Sequence, residues 1–204
     1  DKGNFTTAGF VEFKTKDYLE TNFVKVEGGQ FGSFRGIAGV NLLKSKVDRR
    51  DQSLYVAGEG SFNKGYFESP QNFTRFNGIL KYHGSIGNQH TLTASLSGFT
   101  SKWNASGQIP DRAIESGLVG FYGAIDNTEG GNTSRYNANV ETQTKLDNGG
   151  TVRNQIYYSK YKFELYSNFT FFKEDPINGD QIRQKENRNI LGYNSSYQKE
   201  FFLG

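Results

Sequence analysis

The chain has 204 residues, 24 basic and 21 acidic, for a formal net charge of +3; it contains no cysteine and no methionine, but 25 glycines, 18 Phe, 12 Tyr and 1 Trp. The lack of cysteine excludes disulfide scaffolds, thiolate metal sites and cysteine nucleophiles, and two histidines, His83 and His90, are too few for a multi-histidine centre. The small, scattered positive excess gives no electrostatic basis for nucleic-acid binding.

The chain opens Asp1-Lys2-Gly3-Asn4, without an apolar leader or an initiator methionine, so a mature or excised product is expected. It has no apolar run of about 18 residues and hence no transmembrane helix, but a barrel strand needs only about 10 residues of alternating pattern. Helical periodicity is nearly absent and period two recurs. Segment 34–42 sets Phe34, Gly36, Ala38, Val40 and Leu42 against Arg35 and Asn41, with Ile37 less clean. Segments 54–62 and 76–86 are noisier strands. Segment 91–97 is the clearest: Leu92, Ala94 and Leu96 alternate with Thr91, Thr93, Ser95 and Ser97. In 136–146, Tyr136, Ala138, Val140 and Leu146 alternate with Asn137, Asn139, Glu141, Gln143 and Lys145. Segment 152–165 changes parity near Tyr157 and Tyr158, which predicts a bulge. Segment 189–198 sets Leu191, Tyr193 and Tyr197 against Asn194, Ser196 and Gln198.

The connections alternate in length. Asp147-Asn148-Gly149-Gly150 is a tight hairpin signal in which Asn148 and Gly149 are both expected at positive φ. Gly87-Asn88 is a second tight turn, and the charged stretch 44–52 a third short connection. Long excursions are expected at about 63–73, 103–133 and 168–187. Pro70, Pro110 and Pro176 all fall in them, as continuous ladders require. In an antiparallel meander alternate connections share an edge, so one edge carries tight turns and the other large loops. That is the layout of an outer-membrane barrel, with apolar residues toward lipid and polar ones toward a wet lumen.

Three strings carry a resemblance. Trp103-Asn104-Ala105-Ser106-Gly107-Gln108-Ile109-Pro110 with Arg112-Ala113 is the first. Gly123-Ala124-Ile125-Asp126 with Thr128-Glu129-Gly130-Gly131-Asn132-Thr133-Ser134-Arg135 is the second. Leu165-Tyr166-Ser167-Asn168-Phe169-Thr170-Phe171-Phe172 with 175–184 is the third. The chain resembles a TonB-dependent outer-membrane receptor, the plugged-barrel transporter family. Residues 7–16 are similar to the closing strand of the family's plug. The resemblance implies an all-β fold: residues 1–16 as the end of the plug, and 17–204 as the first strands, about eight, of an antiparallel up-and-down transmembrane barrel with long external loops. Strand one is then expected at about 22–28, with 31–35 running into strand two. Such receptors have about 22 strands, and Phe201-Phe202-Leu203-Gly204 is not a terminal barrel strand, so an internal fragment is expected.

The resemblance further implies energy-coupled uptake of a ferric siderophore or another scarce nutrient at the outer membrane of a Gram-negative bacterium. The implied partners are outer-membrane lipid, the rest of the barrel and plug, an inner-membrane energy-coupling protein and the small nutrient. No cofactor, no metal, no nucleic acid and no catalysis are expected. Two rivals stand beside it: a self-contained small barrel or sandwich acting as an adhesin or glycan binder, and an outer-membrane enzyme using Glu59, Glu141 or Glu164.

The candidate ligand-binding residues are Trp103, Arg112, Tyr122, Asp126, Glu129 and Arg135 on or beside the longest loop. Trp103 is read either as a stacking platform or as an interface aromatic. Arg112 and Arg135 are read either as anion grips or as partners of Asp111, Asp126 or Glu129. Glu129-Gly130-Gly131 supplies turn geometry rather than a phosphate cradle. Asp175, Asn178 and Asp180 are faintly like a calcium loop, but an Asx-rich turn accounts for them better. His83 and His90 flank the Gly87-Asn88 turn as possible cross-strand neighbours.

Overall fold

The computed structural model describes residues 14–47 and 50–201. Eight strands follow one another: β1 (Phe23–Gly29), β2 (Ser33–Val47), β3 (Arg50–Asn63), β4 (Phe73–Ile86), β5 (His90–Asn104), β6 (Gly130–Lys145), β7 (Thr151–Ser167) and β8 (Ile182–Gln198). One short helix, α1 (Asp111–Glu115), lies between β5 and β6. Each strand pairs antiparallel with the next in a single open sheet whose edges are β1 and β8. The chain is therefore all-β and up-and-down. Residues 1–13, most of the stretch expected to close a plug, lie outside the described residues.

The strands are longer than their alternation predicts. The charged stretch 44–52 is not a loop: Lys44, Ser45 and Lys46 pair with Ser53, Gln52 and Asp51, so only residues 48–49 connect β2 and β3. β6 begins at Gly130, because Gly130 to Arg135 are held in the ladder by β5 on one side and β7 on the other. β8 begins at Ile182 for want of any break in its pairing with β7. No bulge occurs at Tyr157 and Tyr158, whose register runs on without a shift. The apparent parity change arises because both faces carry aromatics there, Tyr157 covering Gly192 on one and Tyr158 standing on the other. The register shifts instead in β2, between Asn41 and Leu43. At the β6–β7 hairpin Gly149 alone takes positive φ (79°) and Asn148 does not. Leu146 C=O accepts from Gly149 N–H at 3.0 Å, and the Asn148 side chain accepts from Gly150 N–H at 2.9 Å.

Cross-strand partners share a face, so register sorts every side chain. One face carries Val40, Val56, Leu80, Leu96, Ala138, Tyr158 and Leu191 in a single row. The next row holds Leu43, Leu54, Tyr82, Ala94, Val140, Ile156 and Tyr193. No second layer covers this face among the described residues: Leu96 is 57% and Leu191 76% exposed. The other face carries Asn41, Tyr55, Lys81, Ser95, Asn139 and Tyr157 in one row. Leu92, Ala94, Leu96, Leu191 and Tyr193 thus share the apolar face, and Ser95, Ser97, Asn194 and Ser196 the polar one.

The apolar band crosses the sheet at a slant. Coming from the long-loop end, the band's first aromatic on this face is Phe62 in β3, Phe76 in β4, Tyr136 in β6 and, beyond Tyr166, which stands among Glu164 and Arg183 at the loop end of its strand, Tyr158 in β7. Phe62 shares its row with Asn132 and Glu164, whereas Tyr158 lies three rows further from the loops. That is about 20 Å along the strands against about 19 Å across them, a slope of about 45°. Above the line, apart from Tyr166, the same face is polar, with Lys102, Asn132, Lys160, Lys162, Lys185 and Asn189.

The chain before β1 lies across the polar face. Tyr55 OH donates to Lys16 C=O at 3.1 Å and Ser53 OH to Asp17 C=O at 2.7 Å. Lys81, its side chain 7% exposed, donates to Thr15 C=O at 2.9 Å and pairs with the Asp17 carboxylate at 2.8 Å. Asn41 exchanges hydrogen bonds with the backbone of Leu19. Replacing Lys81 by Met removes the charged donor that satisfies two backbone and carboxylate acceptors, a loss of about 1–3 kcal/mol. Lys81→Met is expected to speed tryptic cleavage after Lys16 while leaving strand content by circular dichroism unchanged.

Candidate functional site at the long-loop end

Three long loops, 64–72, 105–129 and 168–181, leave the same end of the sheet. Backbone bonds tie the first two together: Asn104 N–H to Gln71 C=O at 2.7 Å, and Glu68 N–H to Tyr122 C=O at 2.9 Å. Rings do the same. Tyr66 stacks on Phe67 with centroids 4.4 Å apart and meets Tyr122 edge-on at 5.6 Å; Phe31 and Phe121 extend the cluster. Helix α1 is preceded by Pro110 at its N-cap position, in an extended conformation and without a side-chain cap. A helical turn there was not expected from the pattern.

Two carboxylates join the second loop to the third. Asp126 accepts from Thr128 N–H at 2.9 Å, from the Thr128 hydroxyl, from Asn168 Nδ2 at 2.8 Å and from Gln181 Nε2 at 3.3 Å. Glu129 is 6% exposed; its Oε2 accepts from Asn168 N–H at 3.1 Å and its Oε1 has no hydrogen-bond partner among the described residues. Gly107, at φ +65°, passes so close to Glu129 that any side chain there would strike the carboxylate. Burial pushes the Glu129 carboxyl above its ordinary value, against the Asn168 N–H and helped by the Asp126 charge. Burial acts to raise Asp126 too, but the bonds from Asn168, Thr128 and Gln181 outweigh it and hold Asp126 below its ordinary value.

The candidate residues do not converge on one place. Asp126 and Glu129 spend most of their oxygens inside the loop junction. Arg112 is exposed on α1 and forms no ion pair with Asp111, Asp126 or Glu129 among the described residues; Tyr122 belongs to the ring cluster. Arg135 lies on the polar face of β6 with its guanidinium 5.1 Å from the Tyr161 ring centre, and Arg75 stands likewise 5.7 Å from Phe99. Trp103, half-buried on the polar face, lines a cavity of about 600 Å³ with Phe31, Asn63, Tyr66, Gln71, Phe73 and Ser101. The structure thus brings Trp103 together with loop 64–72, which length alone had marked in the sequence; the dense aromatics Tyr66, Phe67 and Phe73 were the available signal.

Other motifs resolve into structure. Asp175 accepts from Ile177 and Asn178 N–H, and Asp180 from Lys173, Glu174 and Asp175 N–H, so this acidic loop is an Asx-turn nest of its own backbone. His83 and His90 are not neighbours: register puts them on opposite faces, bonded to Thr93 at 2.9 Å and Thr144 at 3.0 Å. Glu59, Glu141 and Glu164 are each ion-paired, with Arg35, Arg153 and Arg183. The chain matches no protein-family model, no curated protein and no solved structure.

The Glu129 junction makes loop order depend on pH. With its folded pKa raised, the folded junction binds more protons than the unfolded one between the ordinary and the raised value, so stability rises as pH falls through that window. Asp126, depressed, acts oppositely and only at lower pH, where stability is lost. Amide protection at Asn168, corrected for intrinsic exchange, is expected to increase from about pH 7 to about pH 5. Glu129→Gln is expected to remove that increase.

Proposed function

We propose that this chain is a wall segment of an outer-membrane β-barrel, the first eight strands of an energy-coupled receptor that takes up a scarce nutrient such as a ferric siderophore. The slanted apolar band carries this proposal. A sheet face bearing this much uncovered apolar surface needs an apolar neighbour. Strands of membrane barrels tilt by about 35–45°, and the band's slope of about 45° is what a level slab of hydrocarbon traces on tilted strands. On β4 the band runs from Phe76 to Ile86, about 34 Å along the strand and about 24 Å along the slab normal at that tilt, against about 25 Å for an outer-membrane apolar band.

The rest is consistent with it. Aromatics mark the band's loop-side edge, as in an interfacial girdle. The polar face receives the preceding chain at Lys81, Tyr55 and Asn41, where a plug would hand over to the first strand. The three long loops leave one end, beside the short β1–β2 turn at 30–32, and tight turns close the other. A self-contained small barrel would pair β1 with β8, and a sandwich would cover the apolar face; neither arrangement is present among the described residues. The ion-paired Glu59, Glu141 and Glu164 fit a wall better than an acid–base site, so the proposed role is binding and passage, with no bond made or broken. Uptake would be driven through an inner-membrane partner acting on the plug.

The test compares two arginines at adjacent positions on opposite faces of β5. Leu96→Arg places a charge near the middle of the apolar slab and is expected to cost about 2–4 kcal/mol in folding into lipid bilayers. Ser97→Arg, beside Ile79 and Asn137 on the polar face, is expected to cost much less. Equal costs would overturn the proposal.

A further inference from the structure

We infer that the cavity beside Trp103 is a binding site for a neutral carbohydrate, which narrows the nutrient class and rests on the reading that the polar face lines the uptake route. The cavity holds about 600 Å³, well inside the range of about 300–1,000 Å³ for small-molecule sites. Its wall combines four rings, Phe31, Tyr66, Phe73 and Trp103, with Asn63, Gln71, Ser101 and Asn104. None of these residues is charged.

The polar groups divide into fixed and free. Asn63 donates to the Ser33 hydroxyl at 2.7 Å and accepts from Gly65 N–H; Asn104 N–H is bound to Gln71 C=O at 2.7 Å. These bonds hold the wall in place. The Trp103 indole N–H, the Tyr66 hydroxyl, the Gln71 amide and the Ser101 hydroxyl have no hydrogen-bond partner among the described residues. Together they offer both donors and acceptors, as a polyol requires and a purely apolar ligand does not. A sugar ring also carries a face of C–H groups, polarised positive, which suits the negative face of an aromatic ring.

Charge decides against a ferric polycarboxylate or polycatecholate at this place. Such a chelate is strongly anionic and calls for Arg or Lys at the contact. Arg112 and Arg135 are not part of the cavity wall, and Arg135 is held against Tyr161. A neutral ligand leaves no buried charge unpaired in this wall; an anion would.

The experiment is calorimetric titration of the full-length protein in detergent with maltotriose, cellotriose and chitotriose, and with ferric citrate as the anionic probe. At least one neutral trisaccharide is expected to bind, with affinity unchanged between about 50 mM and about 500 mM salt. Trp103→Ala and Gln71→Ala are each expected to weaken it about tenfold, while Trp103→Phe, which keeps a ring, retains most of the affinity. Heat-modifiable migration reports folding of every variant. Three results would each overturn the inference: no binding of any of the three sugars at about 10 mM, sugar affinity unchanged in folded Trp103→Ala and Gln71→Ala, or Trp103-dependent binding of ferric citrate that weakens with salt. Failure of the barrel reading is a separate result, seen as a protein that is monodisperse without detergent whatever it binds.

Discussion

Once Leu80, Leu96, Ala138 and Tyr158 pair in one row of the backbone ladder, the direction of every other strand side chain is set. A shift of one residue in any strand would carry its apolar residues to the polar face and its Asn, Ser and Arg residues to the apolar one. Register is held by this all-or-none exchange, which is why seven hairpin ladders run with one shift, in β2. The consequence is a sheet with two incompatible surroundings. One face is apolar and uncovered among the described residues; the other is polar and carries the segment that precedes β1.

The polar face is organised as cations over rings and carboxylates. Arg35 bridges Glu27 at 2.8 Å and Glu59 at 3.2 Å across β1, β2 and β3. Arg75 and Arg135 lie over Phe99 and Tyr161, and Tyr161 stacks with Phe163. These groups stand toward the long-loop half, while Lys81, Tyr55 and Asn41 nearer the tight turns hold the N-terminal segment. The polar face therefore divides along its length into a half that anchors the N-terminal segment and a half of cations and rings beneath the loops. The buried Glu129 and the half-buried Asp126 join the second and third loops, while the Asn104–Gln71 and Asn63–Ser33 hydrogen bonds tie together the cavity wall beside Trp103.

Much of this architecture is legible in the residues. Alternation at 91–97 and 136–146, together with Gly87 and Asn148-Gly149, places four strands and two hairpins where they stand. Strand ends are the weak point: Gly130-Gly131-Asn132-Thr133 and Ile182 to Arg188 have no apolar alternation, because near the loop end both faces are polar and period two has nothing to display. The Tyr157–Tyr158 pair misleads for the opposite reason, aromatics standing on both faces, one of them over Gly192. At the site, Trp103 stands out as the single tryptophan, but its company does not. Tyr66 and Gln71 come from loop 64–72 and Phe73 from the start of β4, thirty or more positions earlier in the chain, and they meet it only through the β4–β5 ladder and the Asn104–Gln71 bond. Asn168 likewise gives no sign in the sequence that it serves Asp126 and Glu129.

The slope of the apolar band is the most direct point of contact with experiment. This chain contains no cysteine, so single spin labels at Phe76→Cys, Gly78→Cys, Tyr158→Cys and Lys160→Cys can report immersion depth in lipid from oxygen and nickel-chelate accessibility. Gly78 and Lys160 share a register row, and Phe76 and Tyr158 lie two rows apart. With the strands tilted in a bilayer, positions 76 and 158 should report nearly equal depth at the interface, with 78 deeper in hydrocarbon and 160 in water. Equal depth along register rows, or water exposure at all four positions, would contradict the account.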